Sequence, residues 1–263
     1  TMIFPYLKIA FRNLCKHKTQ NIISIIGLAV GLLCFCVCIY CSRFVESTDH
    51  CFANHDRIAE LNLYDGKADR YFSGSPVPLA EELRTWALGE TEAISSVTYP
   101  RERPYYVELS PEKTLPYELE TIEIDTCYNK IFTPEMVAGH WKMASQSLNS
   151  VILSQSMAIK IFGNAESAIG KHMTLMRRLN TSPESTPKTG GIVYTIQAVM
   201  KDIPLNNSLD FMQNIDMLTV NDSEGLLQSP KRYNMTGANT YVLLSPQTTC
   251  TDLEKQFSKR DYT

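Results

Sequence analysis
The first 21 residues contain no acidic side chain, and residues 22–42 carry no charge of either sign. No later stretch is comparably apolar. Ile192–Met200 comes nearest and is broken by Thr195 and Gln197, so a second membrane crossing within the chain is excluded. Cysteine is scarce where stapling would need it. Cys34, Cys36, Cys38 and Cys41 lie in the uncharged run, where they serve as small apolar residues, and Cys15 precedes it. Only Cys51, Cys127 and Cys250 follow, an odd and widely spaced set that is no disulfide framework and leaves room for one bridge at most. Basic stripes are absent too. The other 21 Lys and Arg residues lie after position 42 with all 28 Asp and Glu, which argues against nucleic acid as a partner.

What is present starts with Ile22–Tyr40, 19 apolar or near-apolar residues in a row. As a helix they span roughly 28 Å, close to a bilayer's hydrocarbon thickness. Residues 22–42 therefore read as one transmembrane helix. Lys8, Arg12, Lys16 and Lys18 precede it, and the part that follows has a net charge of −7. The positive-inside rule places residues 1–21 in the cytoplasm and 43–263 outside. A cleaved signal peptide would have a shorter apolar core ending in a small-x-small site, and Cys38-Ile39-Tyr40-Cys41-Ser42 offers none.

Before the span, Leu7, Ala10, Phe11 and Leu14 form one apolar stripe with Lys8 and Arg12 off it. Such a segment lies in the membrane interface, with Lys8, Arg12, Lys16 and Lys18 near lipid headgroups, or else it lengthens the spanning helix; the stripe favours the interface. Within the span, Gly27 and Gly31 form a small-xxx-small pair that lets another helix backbone approach closely.

The outer part mixes strand and helix periods without strict alternation, which predicts an α+β fold. Expected strands are Arg57–Tyr64, Val97–Tyr99, Tyr105–Leu109, Tyr117–Ile124, Val151–Leu153, Met173–Met176, Val193–Met200, Phe211–Leu218 and Thr240–Leu244. Leu119, Ile122 and Ile124 are the expected core positions of Tyr117–Ile124. Expected helices are Val77–Trp86, Gln155–Phe162 with Ser154 as N-cap and Gly163 at its end, and Cys250–Ser258 with Leu253 and Phe257 on one face. The stretch 177–191 is rich in Ser, Thr, Pro and Gly and reads as a loop.

Several fragments imitate catalytic or binding sites. Ser110-Pro-Glu-Lys113 and Lys188-Thr-Gly190 match two of three penicillin-recognising motifs, but Ser-Asp-Asn is missing. Gly163…Gly170-Lys171-His172 imitates a phosphate loop with the wrong glycine spacing and a His in place of the hydroxyl. Asp49-His50-Cys51 with His55 and Asp56 has metal-ligand types at no standard zinc spacing and reads as a polar connector. Neither catalytic groups nor a cofactor or metal site is therefore expected.

Ordered motifs carry a resemblance along nearly the whole chain. They are Tyr6-Leu-Lys-Ile-Ala-Phe-Arg-Asn-Leu14, Lys16-His-Lys18 and Ile25-Ile-Gly-Leu-Ala-Val-Gly31, then Asp56-Arg57-Ile58 and Pro78-Leu-Ala80. Val151-Ile-Leu-Ser154 with Ala158, Ile161-Phe-Gly163 and Ile169-Gly-Lys171 is the most specific block. Tyr194-Thr-Ile, Val199, Lys201-Asp-Ile-Pro204 and Asn239-Thr-Tyr-Val-Leu-Leu244 complete the set. The chain resembles FtsX-related ABC-transporter permeases with a MacB-like periplasmic core domain, in the form common in Bacteroides-like bacteria. The resemblance implies a two-lobed α+β domain outside the inner membrane, a dimeric permease, a cytoplasmic ABC ATPase partner and a periplasmic or outer-membrane partner. It also implies that the permease transmits movement rather than passing substrate between its helices. Further spanning helices and a Walker motif are missing, so the chain reads as the N-terminal part of a longer permease. A single-pass receptor with an outer ligand-binding domain is the second reading, and a membrane-anchored enzyme the third.

Overall fold
The computed structural model describes residues 12, 16, 18–66, 68–86, 88–110, 113–175, 191–209, 214–220, 225–227 and 236–258. Lys8 and the stripe at 6–14, Arg12 excepted, lie outside these residues, as do 177–190 of the expected loop and 211–213 of an expected strand. The chain forms two compact units, Thr1–Thr48 and Asp49–Thr263.

The first unit is built on helix α1, Lys18–Glu46. It contains the whole uncharged run and extends past both ends. Its 29 residues measure about 43 Å, so several turns project beyond a hydrocarbon layer. None of its residues is buried; Leu28 is 75% and Phe35 62% exposed. A helix apolar on every side has no face to show water, and α1 is long and apolar enough to cross a membrane. Arg43 lies in its last turn, where a cation complements the helix dipole, and pairs with Glu46 at 3.7 Å.

The second unit runs β1 Ile58–Leu61, β2 Leu63–Asp65, β3 Arg70–Phe72, β4 Ser75–Pro76, α2 Leu79–Thr85, β5 Thr91–Thr98, β6 Arg101–Ser110, β7 Lys113–Ile124, α3 Tyr128–Phe132, β8 Met136–Gly139 and α4 Trp141–Gln146. It continues β9 Ser150–Ser154, α5 Gln155–Phe162, β10 His172–Leu175, β11 Val193–Met200, β12 Met217–Val220, β13 Thr236–Leu244 and α6 Cys250–Ser258. One mixed sheet orders its strands β1-β13-β5-β7-β12-β9-β11-β10-β6, and β6 also pairs with β7. The path from β7 through β12, β9, β11, β10 and β6 therefore returns to β7 and closes a ring. Thr121 is the branch point, paired with Met217 on one side and Arg101 on the other.

Two lobes share this sheet. In the first, the ring strands supply Tyr105, Leu119, Val151, Leu153 and Tyr194 to a core completed by Met157, Ala158 and Ile161 of α5. In the second, β5 and β13 are covered on one face by α2 and α6, through Ala80, Leu83 and Leu253 against Ile94, Val242 and Leu244. A third core joins the lobes. Ile122, Ile124, Ile152 and Leu218 meet Tyr128, Ile131 and Phe132 of α3 there, together with Tyr241. The three core positions expected in Tyr117–Ile124 are all buried, but Leu119 faces one core while Ile122 and Ile124 face another. Their spacing explains it, since odd and even strand residues point to opposite faces. Every residue of β9 and β12 is buried, which is why these strands lack polar alternation.

Several boundaries differ from expectation. Arg57–Tyr64 divides at Asn62 into β1, paired with β13, and β2, paired only with β3. The helix expected at Val77–Trp86 runs Leu79–Thr85, and Ser75-Pro76 before it is a two-residue strand against β13. Of the strand expected at Phe211–Leu218, residues 214–216 lie outside the ladder, which runs Met217–Val220. Asp216 precedes the ladder, with its amide and carbonyl bound to Glu120 and Ser154. Helices α3 and α4 and strand β8 carry no periodic signal because they span only five, six and four residues.

Gly139 ends β8 at φ 71°. A Cβ there would collide with the Gln197 carbonyl oxygen and lie 2.8 Å from Ala198 Cα on β11. Gly139→Ala should therefore destabilise the outer unit by at least about 2 kcal/mol, lowering its melting temperature by about 4–8 °C in a calorimetric scan.

Candidate functional site
Arg12, Lys16 and Lys18 are helical and exposed. At Gly27 and Gly31 an added Cβ would meet nothing within 4 Å, so both glycines lie on an open strip. The helical register extends that strip. Ser24, Gly27, Gly31, Cys34, Cys38 and Cys41 recur at alternating spacings of three and four, a seven-residue repeat of small side chains down one face of α1. The glycine pair stands out in the sequence as a motif, whereas the cysteines join it only through the shared repeat.

The imitation sites resolve into local structure. Gly163, at φ 86°, closes α5 by donating its amide to the Ile159 carbonyl at 2.9 Å. Lys171 then leads into β10, not into a helix N-terminus, so the segment lacks the amide cradle a phosphate needs. Ser110 and Lys113 are opposed across the β6–β7 hairpin. Lys188–Gly190 lie outside the described residues. In the polar connector, the His50 and His55 rings lie 4.3 Å apart, tilted by 38°, and His55 Nδ1 lies 3.1 Å from Asp56. Partial burial, with Asp49 nearby, pushes the Cys51 thiol up to about 11. Among the described residues no three His, Cys, Asp or Glu side chains gather as metal ligands.

The family-like motifs hold the outer unit together. Ser154 caps α5 through the Met157 amide at 3.4 Å, and Asp202 accepts the Ser156 amide at 3.0 Å, so the Val151–Ser154 and Lys201–Pro204 blocks meet at one helix N-terminus. Arg57 donates to the Leu244 carbonyl at 2.9 Å and Asn54 Oδ1 at 3.2 Å, and pairs with Glu92 at 3.1 Å. Asp125 gathers Arg84, Ser95 Oγ and the amides of Ser96 and Cys127. No sequence spacing announces either cluster.

Two carboxyls are held above their ordinary range. Burial raises Glu60, with Asp49 adding to it. Burial also raises Asp216 against the lowering effect of the Glu120 amide and Lys160. The folded state thus holds these protons more tightly than the unfolded chain does. Their contribution to stability is present at low pH and is lost as pH rises through the raised folded values. Glu60→Gln should raise the melting temperature at pH 7 and flatten the decline that sets in as pH rises above the ordinary glutamate range, as followed by thermal melts against pH.

The chain thus joins a helix long and apolar enough to cross a membrane to an α+β domain. Residues 22–260 match the MacB-like periplasmic core domain. The chain belongs to that family. A domain of a protein described as a permease, from Porphyromonas gingivalis, is similar in structure, with TM-score 0.58 and 23% identity over 80% of this chain and 87% of that one. The periplasmic region of MacB from Actinobacillus actinomycetemcomitans is similar with TM-score 0.51 and 13% identity over 82% and 86%. These likenesses establish the shared fold. No curated protein matches the chain. Membership supports a membrane subunit of an ABC transporter, a generally non-enzymatic component that implies an ABC ATPase partner, and an inner-membrane protein with a periplasmic domain.

Proposed function
We propose that this chain forms part of a permease that carries ATP-driven conformational change from a cytoplasmic ATPase to the periplasm, for export or work on the envelope. The observation that carries the reading is α1, whose apolar side chains are all left open in a chain of this family. Residues 1–21 form the cytoplasmic and interfacial segment, 22–42 cross the membrane, and 43–263 make up the periplasmic domain. Lys8, Arg12, Lys16 and Lys18 hold the N-terminal side at the lipid headgroups. Gly27 and Gly31, with the small residues on their repeat, seat a neighbouring helix of the permease, which works as a homodimer or heterodimer. The outer domain grips a periplasmic or outer-membrane partner.

Orientation is the first test. A membrane-impermeant maleimide, applied to cells with a permeabilised outer membrane, should label a variant whose single cysteine is Cys250, which is exposed. It should miss a variant whose single cysteine is Cys15. The reverse pattern overturns the orientation.

A further inference from the structure
The outer unit begins on a locked residue. Asp49 has φ 65°, in the left-handed region that Asp tolerates better than most residues. Its amide donates to the Asn206 carbonyl at 3.1 Å, and its carbonyl accepts the Phe52 amide at 2.9 Å. Its Oδ1 accepts the Ser208 amide at 2.7 Å, across 159 residues of sequence. The loop on the other side is itself held. Asn207 is fully buried, accepts the Leu209 amide at 2.9 Å and donates to the Pro204 carbonyl at 2.6 Å. Ile203 and Leu209 anchor the two ends of that loop in the core around α3. One residue before Ile203, Asp202 caps α5, and β11 lies immediately upstream between β9 and β10. Phe52, three residues after Asp49, is 4% exposed and packs edge-on against Phe132 at 4.9 Å.

A passive connector needs none of this. A left-handed turn whose carboxylate holds a distant amide is a two-point fixing, and its charge-assisted bond is the strong kind. The first residue of the outer unit is thereby fixed to its 201–209 segment.

We propose that Asp49 is the positioning residue that couples the chain leaving α1 to the outer domain, through its clasp on Asn206 and Ser208 and from there to β11 and α5. This rests on the transmission reading above. The test is hydrogen exchange followed by mass spectrometry on the full-length permease with its ATPase in lipid nanodiscs. In the wild type, ATP turnover should change exchange in peptides covering 193–209. In Asp49→Ala, the Ser208 amide should exchange about tenfold faster without nucleotide. The ATP-dependent change at β11 should vanish while ATP hydrolysis continues at the wild-type rate, which a merely structural role would not produce. Asp49→Asn keeps an acceptor oxygen and the left-handed preference, and should keep the ATP-dependent change. Should Asp49→Ala fail to accumulate, Ser208→Pro removes the donor from the other side and should give the same loss. Freed amides with an intact ATP-dependent change in either variant overturn the proposal. A wild type without any ATP-dependent change overturns the transmission reading, and the coupling role falls with it.

Discussion

Gly31→Leu in the full-length permease should lower transport-linked activity at least about tenfold, with the protein still inserted and expressed. The isolated chain offers no obstacle to the substitution, because a Cβ at Gly31 meets nothing within 4 Å and the helix backbone is regular through that turn. Leu, moreover, favours membrane insertion. Any loss of function must then come from a neighbouring helix whose backbone approaches the Gly27–Gly31 strip and is held away by the new side chain. Gly31→Ala should be milder, since one methyl group separates backbones less than an isobutyl group. Gly27→Leu, one turn away on the same file, should behave as Gly31→Leu does. Activity in cells together with quantitative blotting of membrane fractions reads both quantities. Full activity in Gly31→Leu would make α1 a lipid-facing anchor.

The second large effect belongs to Asp125→Ala. Asp125 stands at the end of β7, with its side chain only 16% exposed. It accepts Ser95 Oγ at 2.7 Å, the Ser96 amide at 3.0 Å and the Cys127 amide at 2.9 Å, and pairs with Arg84 of α2. Arg84 also donates to the Ile94 carbonyl at 2.9 Å. Removing the carboxylate leaves a partly buried guanidinium without its counter-charge and strands two backbone amides, that of Ser96 in β5 and that of Cys127 at the start of α3. Such a break destabilises by about 3–5 kcal/mol when the pair is fully buried, and the 34% exposure of Arg84 moderates it to about 2–4 kcal/mol. For a domain of this size the melting temperature should fall by about 5–15 °C. Asp125→Asn, which keeps an acceptor oxygen, should lose less. A scan in which Asp125→Ala melts with the wild type would show that the cluster is dispensable.

The parts of the fold that follow local rules were legible. Ser154 and Gly163 bound α5 because an N-cap hydroxyl and a left-handed glycine act within a few residues of their targets. Val193–Met200 and Cys250–Ser258 likewise show their periods over eight and nine residues. What escaped is set by distance along the chain. The return of β6 to β7 that closes the ring, the division of Leu119 from Ile122 between cores, and the gathering of Arg84, Ser95 and Ser96 on Asp125 depend on tertiary pairing that no window of sequence contains. The same holds for Asp49, which reads as one more polar residue after the span until Ser208 is placed against it. On α1 the glycines are legible as a packing motif and the cysteines as small residues, whereas the seven-residue repeat they share emerges only when both are set on one helix face.

The central claim is that ATP hydrolysed in the cytoplasm moves the periplasmic domain. It is tested most directly by spin labels introduced at Lys18 and Leu148, both exposed, in the full-length permease reconstituted with its ATPase. The distance distribution between the labels should shift when ATP is turned over or the ATPase is trapped with vanadate, and return when nucleotide is removed. Identical distributions in all three conditions, with the ATPase hydrolysing at its full rate, would contradict the account.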